Sequence, residues 1–308
     1  MNESTVTKNV REQFSSLAMY VLPYSFSMLL SKSTAKRLDN NFFQILEGAN
    51  VKSLIECGAN EATASMRANS LGLQALAIEA NPESFKKITP QSTNNFKKVN
   101  FGLGKKNSSL NFYMPKANHT AGSATFKPKS GVEYETTKVQ VRALDQLLSN
   151  TRYIESPFAL WIDVEGMQYE VLNGMLGTLK RNNCKVVKIE VEDLEIFSGQ
   201  RWLSREVVKF FEDLGFVLAY RDFEYAHQYN LLFVRSDVFH SSWFKKFYKF
   251  MFQRTRLTVM DTVKYLAKHK QIKREAKALA LLLFGKQLGN RISAVAGSKE
   301  SRKYLNKK

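Results

Sequence analysis

Residues 54–60, Leu-Ile-Glu-Cys-Gly-Ala-Asn, have the pattern of a buried strand that ends in a carboxylate and a glycine. Residues 160–166, Leu-Trp-Ile-Asp-Val-Glu-Gly, repeat this pattern, and residues 77–82, Ala-Ile-Glu-Ala-Asn-Pro, form a third apolar stretch that ends in an acid. A pattern typical of a helix follows each of them, so the three stretches predict parallel strands of an open α/β sheet. Because the carboxyl ends of such strands meet at one edge, where ligands bind, the acids predict a binding cleft.

The rest of the chain extends this alternation of strands and helices. Strands are predicted over residues 51–57, 74–79, 97–101, 158–164 and 185–191, and helices over 60–69, 144–148, 169–179 and 205–214. Residues 110–114, 123–126 and 139–142 have the pattern of short strands or extended loops. The last two strands, 216–220 and 230–235, are too close in sequence for a crossover helix and predict an antiparallel hairpin. This hairpin favours the methyltransferase type of Rossmann-like sheet over the nicotinamide-binding type, whose GxGxxG motif is missing after the first strand.

The first two acid-tipped strands offer groups that suit an adenosine-containing cofactor, and their residues suggest S-adenosylmethionine. Gly58 lacks a Cβ, so the backbone of its turn can approach a ligand closely. A helix beginning near Asn60 offers amide groups and a positive dipole end to the methionine carboxylate. Glu56 can accept a bond from the cofactor ammonium, and Glu79 can accept bonds from both ribose hydroxyls. The alternatives are a simple strand-to-helix turn at Gly58 and a surface glutamate at position 79.

A second group of acids follows the later strands. Asp163 and Glu165 stand at the end of one predicted strand, and Glu190, Glu192 and Asp193 end the next. Crowding in one cleft is expected to raise the pKa of some of these carboxyls. Asp163, Glu165 and Glu190 are the candidate catalytic residues, because a carboxylate can remove the proton of a hydroxyl that attacks a methyl group. Asp163 is also a candidate cofactor ligand, with metal binding or helix capping as its alternatives.

Together the motifs resemble the FkbM family of S-adenosylmethionine-dependent methyltransferases. The resemblance rests on residues 55–60 (Ile-Glu-Cys-Gly-Ala-Asn), 78–82 (Ile-Glu-Ala-Asn-Pro) and 162–174 (Ile-Asp-Val-Glu-Gly-Met-Gln-Tyr-Glu-Val-Leu-Asn-Gly). It covers residues 50–236 and implies the seven-stranded methyltransferase fold and methylation of hydroxyl groups on sugars, polyketides, other secondary metabolites or glycans. The positions that match the family are Glu56, Gly58 and Asn60 (first cofactor motif), Glu79 (ribose-binding acid), Asp163, Glu165 and Gly166 (signature after the fourth strand) and Glu190 (end of the fifth).

The chain departs from the family pattern at four positions. The family usually has Asp at 56, Gly at 62 and an acid at 168, and it often has Lys at 161. This chain has Glu56, Ala62, Gln168 and Trp161. The longer Glu56 still reaches a cofactor, whereas Ala62 does not easily adopt the positive φ that glycine allows. A non-catalytic protein that docks on a membrane or partner and keeps a vestigial site is therefore an alternative function.

The net charge of +18 is concentrated near the C-terminal end of the 308-residue chain. Residues 240–308 contain 18 Lys and Arg against 3 Asp and Glu, whereas the first 239 residues contain 28 and 25. This asymmetry predicts separate functional regions. They are an N-terminal helical segment (1–48), a methyltransferase domain (49–238) and a basic, aromatic helical tail (239–308).

The tail interleaves aromatic and basic side chains at helical spacing. They are Trp243, Phe244, Phe247, Tyr248, Phe250 and Phe252, with Lys245, Lys246, Lys249 and Arg254. A helix of this kind fits an anionic membrane surface, and it equally fits an aromatic face docked on the protein's own core. A nucleic-acid methyltransferase anchored by the tail is a further alternative function, although no RNA-binding signature is present. The expected partner is a small-molecule or glycan acceptor.

The remaining features concern location and the other reactive side chains. Cys57 and Cys184 fall in predicted strands, which indicates buried thiols and suits a reducing compartment. The apolar stretch 17–30 is shorter than the roughly 20 residues that span a bilayer and predicts a helix packed on the domain. The expected location is the cytoplasm, with peripheral contact at the membrane surface as the open alternative. His119 and His227 are candidate bases, metal ligands or surface residues, and their spacing forms no recognisable metal motif.

Overall fold

The structure is a computed structural model that describes residues 24–90, 95–116, 124–127, 133–222 and 227–248. One compact unit, Ser33–Phe244, includes both sheets described below. The tail beyond residue 248, His119 and residues 17–23 of the apolar stretch lie outside the described residues, and the predictions made for them stay predictions. The same holds for the domain boundaries.

Seven strands form the central sheet in the order β3-β2-β1-β7-β8-β10-β9. They are β1 (Ser53–Cys57), β2 (Gln74–Glu79), β3 (Phe96–Asn100), β7 (Phe158–Ile162), β8 (Cys184–Glu192), β9 (Phe216–Arg221) and β10 (Gln228–Arg235). The pairs among β3, β2, β1, β7 and β8 are parallel, whereas β10 is antiparallel to both β8 and β9. This arrangement confirms the predicted Rossmann-like sheet with a terminal hairpin.

The helices are α1 (Tyr24–Gly48), α2 (Thr63–Ser70), α3 (Pro82–Lys87), α4 (Leu144–Leu148), α5 (Gln168–Gly174), α6 (Leu176–Lys180), α7 (Ser204–Asp213) and α8 (Ser236–His240). The helix predicted over residues 60–69 begins later, at Thr63, because Asn60 and Ala62 have positive φ of 47° and 57°. The helix predicted over 169–179 is divided into α5 and α6. Met175, at φ −123° and ψ 17°, interrupts it.

The two faces of the central sheet differ in chemistry. One face forms the main apolar core, with side chains such as Ile55, Ile162 and Phe233. On the opposite face, Glu56 pairs with Trp161, and Trp161 pairs with Lys188 on the next strand. Helix α1 covers part of this second face, since the ring of Phe42 lies 5.3 Å from that of Trp161. The polar side chains of the second face therefore lead towards the sheet edge where the cleft was predicted.

A second, three-stranded sheet lies between β3 and α4 in sequence. Its strands β4 (Gly102–Leu103), β5 (Ser108–Pro115) and β6 (Tyr134–Arg142) have the order β4-β6-β5. The short strands predicted at 110–114 and 139–142 are parts of β5 and β6. At 123–126 the structure shows a single bridge, between Ala124 and Tyr113. The sequence therefore predicted these extended segments but not that they form a sheet of their own.

Residues 239–244, at the beginning of the predicted tail, belong to the compact unit. Phe244 is only 1% exposed, and its ring lies 5.3 Å from that of Phe239. The indole of Trp243 occupies the space beside Gly48, at the end of α1. For these two aromatic residues, docking on the protein's own core is what the structure shows. Within the described part of the chain, every helix is too short or too polar to cross a lipid bilayer.

Candidate active site

The turn after β1 brings two strand ends into direct contact. Gly58 has a φ of 78°, and a Cβ placed on it would overlap the backbone carbonyl of Asp163. The amide of Asp163 donates a hydrogen bond of 2.8 Å to the carbonyl of Cys57, which fixes this approach. Glycine is therefore required at position 58 both by the backbone conformation and by the lack of space.

Glu56 connects the end of β1 to helix α2. Its carboxylate accepts hydrogen bonds from the amides of Ala64 (3.3 Å) and Ser65 (2.7 Å) in the first turn of α2. These two amides are consequently not free for a cofactor carboxylate, which was the role predicted for the helix terminus. Burial raises the pKa of Glu56 to about 7, although these bonds oppose the shift. Contact between Glu56 and the cofactor ammonium stays a prediction.

Glu79 ends β2 as predicted and is held by backbone donors. One of its oxygens accepts the amide of Asn60 and the other accepts the amide of Asn81, the latter at 2.6 Å. Burial raises the pKa of Glu79, while the amide bonds favour its charged form. Each carboxylate oxygen keeps a second lone pair that can accept a ligand hydroxyl. The side chain of Asn60 is itself fixed by a 3.0 Å bond from the hydroxyl of Ser84.

Asp163, Glu165 and Glu190 form a cluster in which one carboxylate oxygen of each lies within 4.8 Å of the others. Gln228 joins this cluster from β10, because its amide nitrogen donates to Glu190 Oε2 at 2.8 Å and to Glu165 Oε2 at 3.2 Å. Burial raises the pKa of Glu190 well above its usual range, and the charges of Asp163, Glu165 and Glu192 raise it further. Burial also raises the pKa of Asp163, which shares a hydrogen bond with Glu190. The hydrogen bond between Asp163 and Glu190 therefore requires a proton that these two carboxyls share. The spacing of the cluster would also suit a cation, but an acidic cluster alone does not define a metal site.

Glu192 lies beside this cluster in a pair of amide bonds. Its Oε2 accepts from Gln168 at 2.8 Å and from Gln200 at 2.7 Å, while its Oε1 is buried without a hydrogen-bond partner among the described residues. Burial raises the pKa of Glu192 to about 7, and the charge of Asp163 contributes in the same direction. Gln168 thus serves as a donor at a position where the family usually has an acid. His227 meets this region through its carbonyl, which accepts the amide of Asp193 at 2.9 Å.

A cleft at the carboxyl edge of the sheet brings most of the predicted site residues together. Its enclosed volume is about 130 Å³, and beyond that the cleft opens to solvent. The predicted residues that line it are Gly58, Asn60, Glu79, Asp163 and Glu165. Glu56 and Glu190 contact those residues but do not line the cleft. The sequence did not identify the apolar lining, namely Ile78, Phe101, Leu103, Phe112, Val164 and Met167.

Part of that lining comes from the second sheet and from the segment bridged to it. Phe112 of β5, together with Ala124 and Thr125, faces the strand ends. The only sequence signal for this arrangement was the alternation in 110–114, which gives no information about where the strand packs. Lys188 and Gln228 were also not identified, although a lysine between the apolar residues Val187 and Ile189 is a signal that the sequence does provide.

Comparison with known proteins identifies the family. Residues 56–218 match the model of the methyltransferase FkbM domain. Hexuronic acid methyltransferase AglP of Haloferax volcanii is 26% identical over 178 residues, which are 53% of this chain and 66% of that protein. The chain therefore spans slightly less than two thirds of this relative.

Solved structures show weaker likenesses. Magnesium protoporphyrin IX methyltransferase from Synechocystis PCC 6803, with bound SAM, is 10% identical and has a TM-score of 0.35 over 65% of this chain and 79% of its own. A TehB-like SAM-dependent methyltransferase from Corynebacterium glutamicum is 11% identical, with a TM-score of 0.34 over 67% and 97%. The fold assignment depends on the strand order rather than on these likenesses. The domain match confirms the resemblance and, at the level of the family, its cofactor S-adenosylmethionine: the chain belongs to the FkbM methyltransferase family.

Proposed function

We propose that this protein transfers a methyl group from S-adenosylmethionine to a hydroxyl group of a sugar, glycan or glycolipid. The observation that supports the proposal best is the position of its acids. Glu79 and Asp163 follow the two strands that flank β1, and strand spacing separates them by about 10 Å. One cleft therefore offers a carboxylate to the ribose and, farther along, a cluster of carboxyls to the reacting groups.

The described residues fit this cofactor. Glu79 would accept bonds from the ribose hydroxyls, and the apolar lining around Phe101 and Leu103 suits the adenine ring. Asp163 would face the positively charged sulfonium, whose methyl group is the electrophile that the bound cofactor supplies. Gly58 allows the backbone between these two acids to approach the cofactor without a side chain in the way. An acidic cleft is favourable for a cofactor that contains a sulfonium and an ammonium.

The acid cluster favours a hydroxyl acceptor over a carboxylate acceptor. A hydroxyl must lose its proton as it attacks, and Asp163 or Glu165 can accept that proton within the cleft. A carboxylate acceptor needs no base, and the charges of the same residues would repel it. The name of the Haloferax relative supports a sugar-derived acceptor, although it specifies a hexuronic acid. Most of the rate enhancement is expected from alignment, with the attacking oxygen held about 3 Å from the methyl group.

Calorimetric titration of the full chain with S-adenosylmethionine tests the cofactor site. Glu79→Gln should weaken binding about tenfold or more, because it removes one carboxylate oxygen and the charge that hold the ribose. Glu83→Gln, on the exposed surface of α3, is the matched control and should bind like the wild type. Failure of the wild type to bind would favour a docking protein with a vestigial site.

A panel of neutral hexosides and their hexuronate counterparts then tests the acceptor. Release of S-adenosylhomocysteine with the neutral members, and less with the hexuronates, is the expected result. A base-labile methyl ester as the product from a hexuronate would contradict a hydroxyl acceptor.

A further inference from the structure

Lys188 is a buried cation in the middle of β8. The residue is 5% exposed, and its ammonium lies 2.8 Å from Oδ1 of Asp39 on α1. The same ammonium lies 3.4 Å from the centre of the Trp161 ring, a cation–π contact. Burying a charge is costly unless partners compensate for it, and Asp39 and Trp161 compensate for the charge of Lys188.

The sheet register places this cation next to the catalytic cluster. Lys188 pairs with Trp161 across β7 and β8. Asp163 and Glu190 come two residues later along the same two strands, and side chains two residues apart point to the same face. Lys188 therefore precedes the two acids on the face that leads into the cleft.

The groups that surround Asp163 are otherwise acidic. They are Glu56 of β1, Glu79 of β2, Glu165 after β7, and Glu190 and Glu192 of β8. Burial raises the pKa of both acids. The hydrogen bond with Glu190 and then the charge of Lys188 lower the pKa of Asp163, whereas the charges of Asp163, Glu165 and Glu192 raise that of Glu190 further. Gln228 donates to Glu190 Oε2 and so leaves the other oxygen of Glu190 for the bond with Asp163. Asp163 and Glu190 therefore differ in their electrostatic surroundings.

We propose that Lys188 is a positioning residue whose ammonium, held by Asp39 and Trp161, keeps Asp163 as the ionised member of the Asp163–Glu190 pair and leaves the shared proton on Glu190. The inference rests on the proposed function, in which Asp163 lines the cleft and faces the sulfonium and the acceptor hydroxyl. Lys188 itself touches neither. Its effect on the reaction is to determine which carboxyl is the base.

Carbon-13 NMR titration of the aspartate carboxyls in the full chain tests this role without needing a cofactor or an acceptor. Lys188→Met keeps the length of the side chain and removes its charge. The titration midpoint of Asp163 should rise by about one pH unit or more, since a nearby opposite charge has been lost. Lys188→Arg, which keeps the charge, should restore a midpoint close to that of the wild type.

Asp39→Asn is the matched control, because it breaks the same ion pair and keeps the ammonium. With its counter-charge gone, Lys188 should leave the Asp163 midpoint unchanged or lower it. A purely structural ion pair predicts that Lys188→Met and Asp39→Asn behave alike, and that outcome would overturn the proposal. An Asp163 midpoint within about 0.3 pH units of wild type in folded Lys188→Met would do the same.

If Lys188→Met does not fold, Asp39→Asn still decides, since a raised Asp163 midpoint in that variant contradicts the proposal. Failure of the proposed function would be seen separately, as absent binding of S-adenosylmethionine in the calorimetric titration.

Discussion

At the scale of single residues, unusual backbone conformations are concentrated at the strand ends that form the cleft. Asn60, Ala62 and Glu165 have φ of 47°, 57° and 42°, although none of them is glycine. A non-glycine residue in this region costs about 1–2 kcal/mol. Ala62 therefore adopts the conformation for which the family's usual glycine is suited. Strain of this kind persists where surrounding contacts determine the conformation, and it is typical of functional sites.

Gly58 and Gly72 are a matched pair for measuring how much the close contact between Gly58 and Asp163 contributes to stability. Their φ values are 78° and 81°, but a Cβ on Gly72 would meet nothing within 4 Å, whereas one on Gly58 would overlap the Asp163 carbonyl. Gly72→Ala should lower the free energy of unfolding by about 1–2 kcal/mol from the backbone alone. Gly58→Ala should cost at least about 3 kcal/mol, because two strand ends must also separate. Urea denaturation of both variants checks this; equal losses would show that the strand contact is not tight.

At the scale of secondary structure elements, the end of β8 is joined to its neighbours by side-chain amides. Gln168 at the start of α5 and Gln200 before α7 both donate to Glu192, and Gln228 at the start of β10 donates to Glu190. Amide groups can donate to a carboxylate without adding charge. The acids of β8 are therefore held in place by hydrogen bonds from three other segments, while their mutual repulsion is only partly relieved.

Glu192→Gln should relieve part of the repulsion among the acids of β8, by an amount that depends on pH. The pKa of Glu192 rises from 4.5 to about 7 on folding. The stability that depends on protonated Glu192 is therefore fully present below pH 4.5 and is lost as the pH rises through about 7. Glutamine resembles the protonated acid and does not titrate. The variant should match the wild type near pH 4 and be about 3 kcal/mol more stable near pH 8.

Chemical denaturation of the wild type and Glu192→Gln across this pH range measures the difference. A constant difference between the two proteins at all pH values would contradict the raised pKa of Glu192.

At the scale of the whole molecule, the charge is divided between two regions. Residues 240–308 hold 18 basic and 3 acidic residues, whereas the cleft is lined by Glu79, Asp163 and Glu165. A polyanion such as RNA would be attracted by the first region and repelled by the second. The acidic cleft therefore favours the sugar acceptor over the nucleic-acid alternative.

Salt dependence separates the two functions. Methyl transfer to a neutral sugar should change less than about twofold between 50 and 500 mM salt, because a neutral acceptor displaces no bound counterions. Binding of a single-stranded RNA oligonucleotide through the tail should weaken by orders of magnitude over the same range. S-adenosylhomocysteine release measures methyl transfer, and fluorescence anisotropy measures RNA binding. Methyl transfer that falls in parallel with RNA binding would favour the nucleic-acid methyltransferase.

The sequence by itself determined the central sheet and the strand ends that meet at the cleft. Glu79 and Asp163 end strands whose apolar pattern is local, and parallel strands necessarily place their carboxyl ends at one edge. Gly58 was identifiable for the same reason, as the turn residue between a strand and a helix. Local patterns of two or three residues were sufficient for these predictions, and the domain match over residues 56–218 agrees with them.

Only the tertiary structure decided which groups surround those acids. The partners of Glu56 are 8 and 9 residues away, whereas Lys188 meets Asp39 across 149 residues and Gln228 meets Glu165 across 63. No local pattern specifies such distant contacts, because they arise from the register between strands and from the packing of α1 and β10 on the sheet. The protonation of the acid cluster depends on these contacts, since burial and neighbouring charges shift a pKa more than the choice between Asp and Glu does.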